Sequence, residues 1–206
     1  MQDLDAHYGA GEVRMRRLSD SAGVLRLKER KKVEKWFDQF EATFPELFFS
    51  VYFGALDERS NIRQFGLWLL NRGAFEDVDL SRPNDGGVLL VVDVNSKAAF
   101  IASGYLLDVY LKEEDTFRAL SKAHPHFLQG NYFRALKSIM GNISGSLRKR
   151  SRQANRNPEK YQRLIGQSQQ DMGDILQRIR SGKDEATKDL SRRPAVDENH
   201  LQQHVQ

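Results

Sequence analysis

The stretch Gly87-Val88-Leu89-Leu90-Val91-Val92-Asp93-Val94 decides the fold. Val88 to Val94 is an almost uninterrupted run of Val and Leu, bounded by turn residues and too short for an ordinary helix, which is the pattern of a central strand covered on both faces. Upstream, Ala74 to Gly87 is acidic and rich in turn formers, ending in Pro83, Asn84, Asp85, Gly86 and Gly87, and reads as a long surface loop leading into the strand. Downstream, Asn95 and Ser96 form a short turn into a second strand at Lys97 to Ala102, so the pair reads as a hairpin. Leu47 to Phe53, dense in aromatic and β-branched residues, is a further strand with two covered faces.

Helical periods surround these runs. From Leu25 to Phe44, the residues Val33, Trp36, Phe37, Phe40 and Phe44 recur at spacings of three and four opposite a charged side, and Pro45 stops the helix. Asp57 or Ser60 caps a second helix whose buried side is Ile62, Phe65, Trp68 and Leu69, with Gly73 at its C-terminal end. Glu113, Glu114 and Asp115 suit the positive end of a short helix completed by Thr116 to Ala123 before Pro125. A last helix spans about Asn131 to Leu147, with Phe133, Leu136, Met140, Ile143 and Leu147 on one stripe. The fold class is therefore α/β, a small mixed sheet flanked by helices, with a helical or disordered C-terminal extension.

The predicted organisation is an N-terminal arm over 1–18, an α/β domain over 19–147, a basic linker over 148–157, an amphipathic helix over 158–182 and a disordered tail over 183–206. A composition with 39% hydrophobic residues, 12 Phe and 2 Trp supplies a core. The absence of Cys excludes disulfides, thiolate zinc sites and cysteine nucleophiles. No run approaches the roughly 20 apolar residues that cross a bilayer, and Met1 to Asp20 carries Asp3, Asp5, Glu12, Arg14, Arg16 and Arg17 in place of an apolar leader, so the chain as given reads as soluble. The net charge of +4 is localised: residues 148–206 hold 13 Lys and Arg against 8 Asp and Glu, and the preceding 147 hold 19 against 20. A near-neutral body with a basic tail says little about what the folded domain binds.

The region from Asp20 to about Asn142 resembles the TPM domain family, named for thylakoid-lumen, photosystem-repair and acetylcholine-receptor-modulator proteins. Asp20, Ser21, Ala22, Gly23, Val24 and Leu25 are similar to the family's opening Asp-x-Ala-x-x-Leu segment, and Gly87 to Val92 to its Asn-Gly-Val-Leu-Leu strand. Gly104, Tyr105, Leu106, Leu107 and Asp108, with Leu111 and Glu113 downstream, resemble Gly-Tyr-Gly-Leu-Glu and its Leu-x-Asp. Gly130, Asn131, Tyr132 and Leu136 resemble the closing Gly-Asp-Tyr segment. Departures are Gly86 for Asn, Leu106 for the second glycine, Asp108 for Glu and Glu113 for Asp. The resemblance implies a Rossmann-like three-layer domain and an acidic, calcium-binding cleft.

The candidate metal ligands are Asp20, Asp85, Asp108 and Glu113, each at the end of an element, where side chains distant in sequence can converge on one sheet edge. Calcium takes six to eight oxygens, which these carboxylates and the turn carbonyls of Asn84 to Gly87 can supply; magnesium is the alternative cation. The competing reading is helix capping by Asp20 and Glu113 with solvated charge at Asp85. One plant branch of the family implies an acid phosphatase, for which no nucleophile motif or phosphate loop is legible here. His124 and His126 flank Pro125 without a zinc-ligand spacing, and His200 and His204 fall in the tail. Tyr105, Tyr110 and Tyr132 can line the cleft rim or belong to the core. Arg148, Lys149, Arg150, Arg152 and Arg156 form a run open to polyanions or an anionic membrane surface, but lack interleaved aromatics, so no specific nucleic acid is expected. The sequence-level expectation is a divalent-cation-binding adaptor with a protein partner at a membrane surface. The resemblance implies a periplasmic or otherwise exported location; cytoplasmic is the alternative.

Overall fold

Two seven-residue runs, Phe48–Gly54 and Gly87–Asp93, lie side by side in parallel, Phe48 opposite Gly87 and Gly54 opposite Asp93. Their side chains alternate between two apolar layers, as the two-residue period of a strand requires. Phe49, Val51, Phe53, Val88, Leu90 and Val92 enter one cluster, and Phe48, Leu89 and Val91 the other. The computed structural model describes residues 2–57, 59–79, 81–167 and 170. In chain order its elements are α1 (Gln2–Tyr8), β1 (Val13–Met15), β2 (Leu18–Asp20), α2 (Leu27–Thr43), β3 (Phe48–Gly54), α3 (Ile62–Arg72), β4 (Gly73–Phe75), β5 (Gly87–Asp93), β6 (Ala99–Ser103), α4 (Glu113–Leu128) and α5 (Tyr132–Arg156). Chain contacts separate a unit Met1–Tyr161 from a unit Gln162–Gln206. Of the second, residues 162–167 are helical.

The main sheet has the order β2-β3-β5-β6, with β2, β3 and β5 parallel and β6 antiparallel to β5. The expected hairpin is therefore present, and the sheet is small and mixed, as the residue pattern predicts. α2, α4 and α5 cover one face through Val33, Phe37, Phe40, Ala119, Phe127 and Leu136, while α3 covers the other through Trp68, Leu69 and Leu70. A short parallel pair, β1 with β4, extends the second layer through Met15 and Phe75. Six phenylalanines at 3% exposure or less, Phe37, Phe40, Phe48, Phe49, Phe53 and Phe127, are among the largest side chains in the core. Each contributes roughly 2–3 kcal/mol by leaving water.

Several predicted boundaries change, each for a tertiary reason. The arm expected over 1–18 is folded: Leu4 and Tyr8 pack on the α3 layer, Trp68 Nε1 donates to Gly9 O at 2.9 Å, and Arg72 pairs with Asp5. Arg17 joins this segment to α2 and to the loop after β4, its guanidinium meeting Asp38, Glu41 and Asp77. Asn61, not Asp57 or Ser60, caps α3, its side-chain oxygen accepting from Arg63 N and Gln64 N. Pro125 does not end α4, which continues to Leu128 because Phe127 is 1% exposed and anchors the last turn in the core. The helix expected to stop at Leu147 runs on to Arg156, so residues 148–156, expected as a linker, are helical. Arg150 there donates to the buried Asp115 at 3.0 Å, which ties the extension to α4. Residues 158–167 continue as helix; the rest of the predicted 158–182 helix, residue 170 apart, and the tail with His200 and His204 lie outside the described residues. Among the described residues no helix is long and apolar enough to cross a membrane.

Candidate functional site

The chain leaves β2 toward α2 on one face and leaves β3 toward α3 on the other, the topology for which the ends of parallel strands are the expected ligand position. Asp20 closes β2 at this edge. Its carboxylate is fully shielded and accepts Val24 N at 2.9 Å, Leu25 N at 3.0 Å and Arg30 Nη2 at 2.8 Å. Those bonds hold the tight turn in which Gly23 adopts φ +65° and start the approach to α2. Asp93 closes β5 at the same edge, accepting the backbone N–H of Leu56, Asn95 and Ser96 and the Ser96 hydroxyl. Burial opposes its ionisation, but those donors outweigh it and hold the carboxyl below the usual range. Lys97, at φ 60°, donates through Nζ to Tyr132 Oη at 2.8 Å and lies over the Tyr132 ring. Tyr132 is buried against Phe53 and Phe127, whereas Tyr105 is 46% exposed and Tyr110 stacks on Tyr161.

The other predicted ligands lie elsewhere. Asp20 is opposite Phe53, whereas Phe48 is opposite Gly87, two residues after Asp85; five strand residues, about 16 Å at 3.3 Å each, separate the two levels. Asp85 belongs to a single 3-10 turn, Asn84–Gly86, whose carbonyls press on Gly104: a Cβ there would lie 2.2 Å from Asp85 O. Gly86 is constrained in the same way, its Cβ position lying 2.4 Å from Glu46 O, so a larger residue here would require the backbone of this chain to shift.

Asp108 and Glu113 both line a groove of about 480 Å³ that runs beside β6 between α3 and α4. Its floor is Phe100 to Ser103; Arg63 and Leu67 form one wall, and Thr116, Phe117 and Leu120 the other. Arg63 Nη2 reaches Glu113 Oε1 at 3.8 Å across the groove, and its guanidinium stacks on Phe100. Among the described residues the Asp108 carboxylate accepts no hydrogen bond; desolvation in the groove raises its pKa against the opposing charge of Lys112. Lys112 Nζ instead donates to the Asp108 carbonyl at 2.8 Å.

The four carboxylates thus do not form one cluster: Asp20 is bound up at one sheet edge, Asp85 lies at the opposite edge, and Asp108 and Glu113 share the groove. Among the described residues no group of three or more His, Asp or Glu is arranged to hold a metal ion. Asp93 is a polar anchor that sequence reasoning did not single out, and Asp115, read from sequence only as a helix-start carboxylate, is a second, buried one. Asp115 accepts Lys112 N, Ser146 Oγ and Arg150 Nη2, which together overcome desolvation and lower its pKa. A carboxylate followed by Ser three residues on, as in Asp93-x-x-Ser96, was the available signal for the first; the second depends on contacts 31 and 35 residues away.

A three-layer α/β domain with a small mixed sheet is the class that this fold defines. The TPM domain matches residues 18–145. A solved structure with the same fold is the solution NMR structure of the N-terminal domain of a protein from P. gingivalis, 21% identical, at a TM-score of 0.52 over 64% of this chain and 82% of that one. No curated protein matches. The chain belongs to the TPM domain family.

Proposed function

We propose that this TPM domain is a binding adaptor whose working surface is the groove beside β6, and that the groove's acidic end takes a divalent cation, calcium before magnesium. The observation that carries the reading is the pairing of Asp108 and Glu113 in one groove with the Asp108 carboxylate unbonded, since a carboxylate raised in pKa by desolvation is relieved by a bound cation. Two carboxylates, the nearby carbonyls and water are a sparse ligand set, which suits weak, open coordination. The resemblance to exported, membrane-adjacent family members supports a place at a cell envelope.

Thermal melts with and without calcium test this directly. At a hundredfold excess over the dissociation constant a bound ion adds about 2.7 kcal/mol, or roughly 5–10 °C in Tm for a domain of this size. The rise should persist in Asp20→Asn and disappear in Asp108→Asn with Glu113→Gln. A rise that survives the double substitution, or none at millimolar calcium or magnesium, overturns the cation assignment.

A further inference from the structure

We propose that the outer edge of β6 receives an extended segment of a partner protein as an added strand, a segment with alternating apolar side chains and a basic residue at the Asp108 end. The proposal rests on the adaptor reading and names the adaptor's partner class; it does not require the cation.

The parity of the hairpin fixes which backbone groups are free. Asp93 N donates to Ala98 O at 3.0 Å and Gly104 N donates to Gly87 O at 2.9 Å, with Phe100 opposite Val91 and Ala102 opposite Leu89. Bonded and non-bonded pairs alternate along an antiparallel ladder, so residues 98, 100, 102 and 104 turn their N–H and C=O toward β5. Ala99, Ile101 and Ser103 turn theirs outward, and among the described residues no hydrogen bond reaches these six groups. Solvent-facing edges are ordinarily blunted by Lys, Pro, an inward charge or a bulge. Ala99-Phe100-Ile101-Ala102-Ser103 has no Lys, Pro or charge, and it pairs with β5 without a bulge.

The walls define the occupant. An added strand sends successive side chains to opposite faces, here onto Leu67 and Phe100 on one side and Phe117 and Leu120 on the other. Leu67 is 38% and Phe117 71% exposed, so apolar surface on both walls awaits cover. The β6 edge of a second copy would bring its own α3 and α4 against these walls, so the occupant is a lone strand. The Arg63–Glu113 pair that crosses the groove is 65% and 85% exposed, a weak latch that an incoming strand can displace. The unbonded Asp108 carboxylate near the Ser103 end favours a basic residue at that end of the ligand. Recognition by main-chain bonds along an open edge, with side-chain pockets setting specificity, is an established mode of peptide capture.

The test is amide hydrogen exchange on the full chain with the hexapeptide acetyl-Val-Thr-Val-Thr-Val-Arg-amide and its reversed sequence as probes. One of them should slow exchange at Ile101 and Ser103 by at least about tenfold, and the same peptide N-methylated at alternate amides should not. Ser103→Pro should abolish the slowing at Ile101 while leaving the melt cooperative, because the N–H it removes points away from β5. Phe117→Glu, on an exposed wall, should weaken binding and spare the fold. No slowing with either peptide at millimolar concentration, equal slowing by the methylated control, or undiminished binding by Ser103→Pro would each overturn the proposal. Slowing that grows with protein concentration alone would assign the edge to a second copy and overturn it too. Calcium melts of the same samples report separately on the cation, so either assignment can fail without the other.

Discussion

Replacing Asp20 by Asn leaves one acceptor oxygen where two backbone N–H groups and the Arg30 guanidinium converge. A lost charged hydrogen bond of this kind costs about 2 kcal/mol, so Asp20→Asn should lower Tm by several degrees in a thermal melt. Asp108→Asn should do the reverse or nothing at neutral pH, because burial disfavours its charged form. Gly104→Ala should be far more damaging than either, since the new methyl meets the backbone carbonyls of Asn84 and Asp85 and neither can rotate away. Asp93 and Asp115 set the pH dependence. Both are held below the ordinary carboxyl pKa, so on acidification the unfolded chain takes up protons first. Their stabilisation is complete above about pH 4 and is lost below it, and Asp115→Asn should flatten that part of a stability profile measured from pH 3 to 6.

At the scale of elements, β3, β5 and β6 were legible because their information is local, whereas the three-residue strands β1, β2 and β4 were not. Both faces of β3 and β5 are apolar, so the run and its bounding turns suffice, and the amphipathic stripes of α2 and α3 are equally self-contained. α1 was not legible, because Leu4 and Tyr8 alone make a poor stripe and the helix is held by the Trp68 and Arg72 contacts. The end of α5 was hidden for a similar reason: residues 148–156 look like a solvated charge run until Arg150 is seen to serve the buried Asp115. Arg150→Ala should therefore cost about 1–2 kcal/mol, more than an exposed arginine would, as read from denaturant midpoints. Pro125 misled because a breaker near a helix end can be overridden by one large buried residue, here Phe127.

Across the whole molecule, the convergence of the acidic residues was the part of the site that sequence could not supply. Asp20 ends a strand and Asp85 precedes one, and in a parallel sheet those positions are opposite edges; the parallel pairing of β2 with β3 was the missing piece. Asp108 and Glu113 come together only because α4 packs alongside the hairpin. Among the described residues every buried core residue lies before residue 148, so a chain ending at Tyr161 should keep its cooperative melt within about 2 °C of the full chain, monitored by circular dichroism. The central claim is that ligands are taken in the groove beside β6, not at the strand ends that the fold class would favour. Its most direct test is a calcium titration followed amide by amide by NMR. Shifts centred on Asp108, Lys112 and Glu113, saturating together while Val24 and Leu25 stay fixed, are the predicted result. Shifts centred on Asp20, Asp93 and the turn from Ala22 to Leu25, with the groove silent, would contradict it.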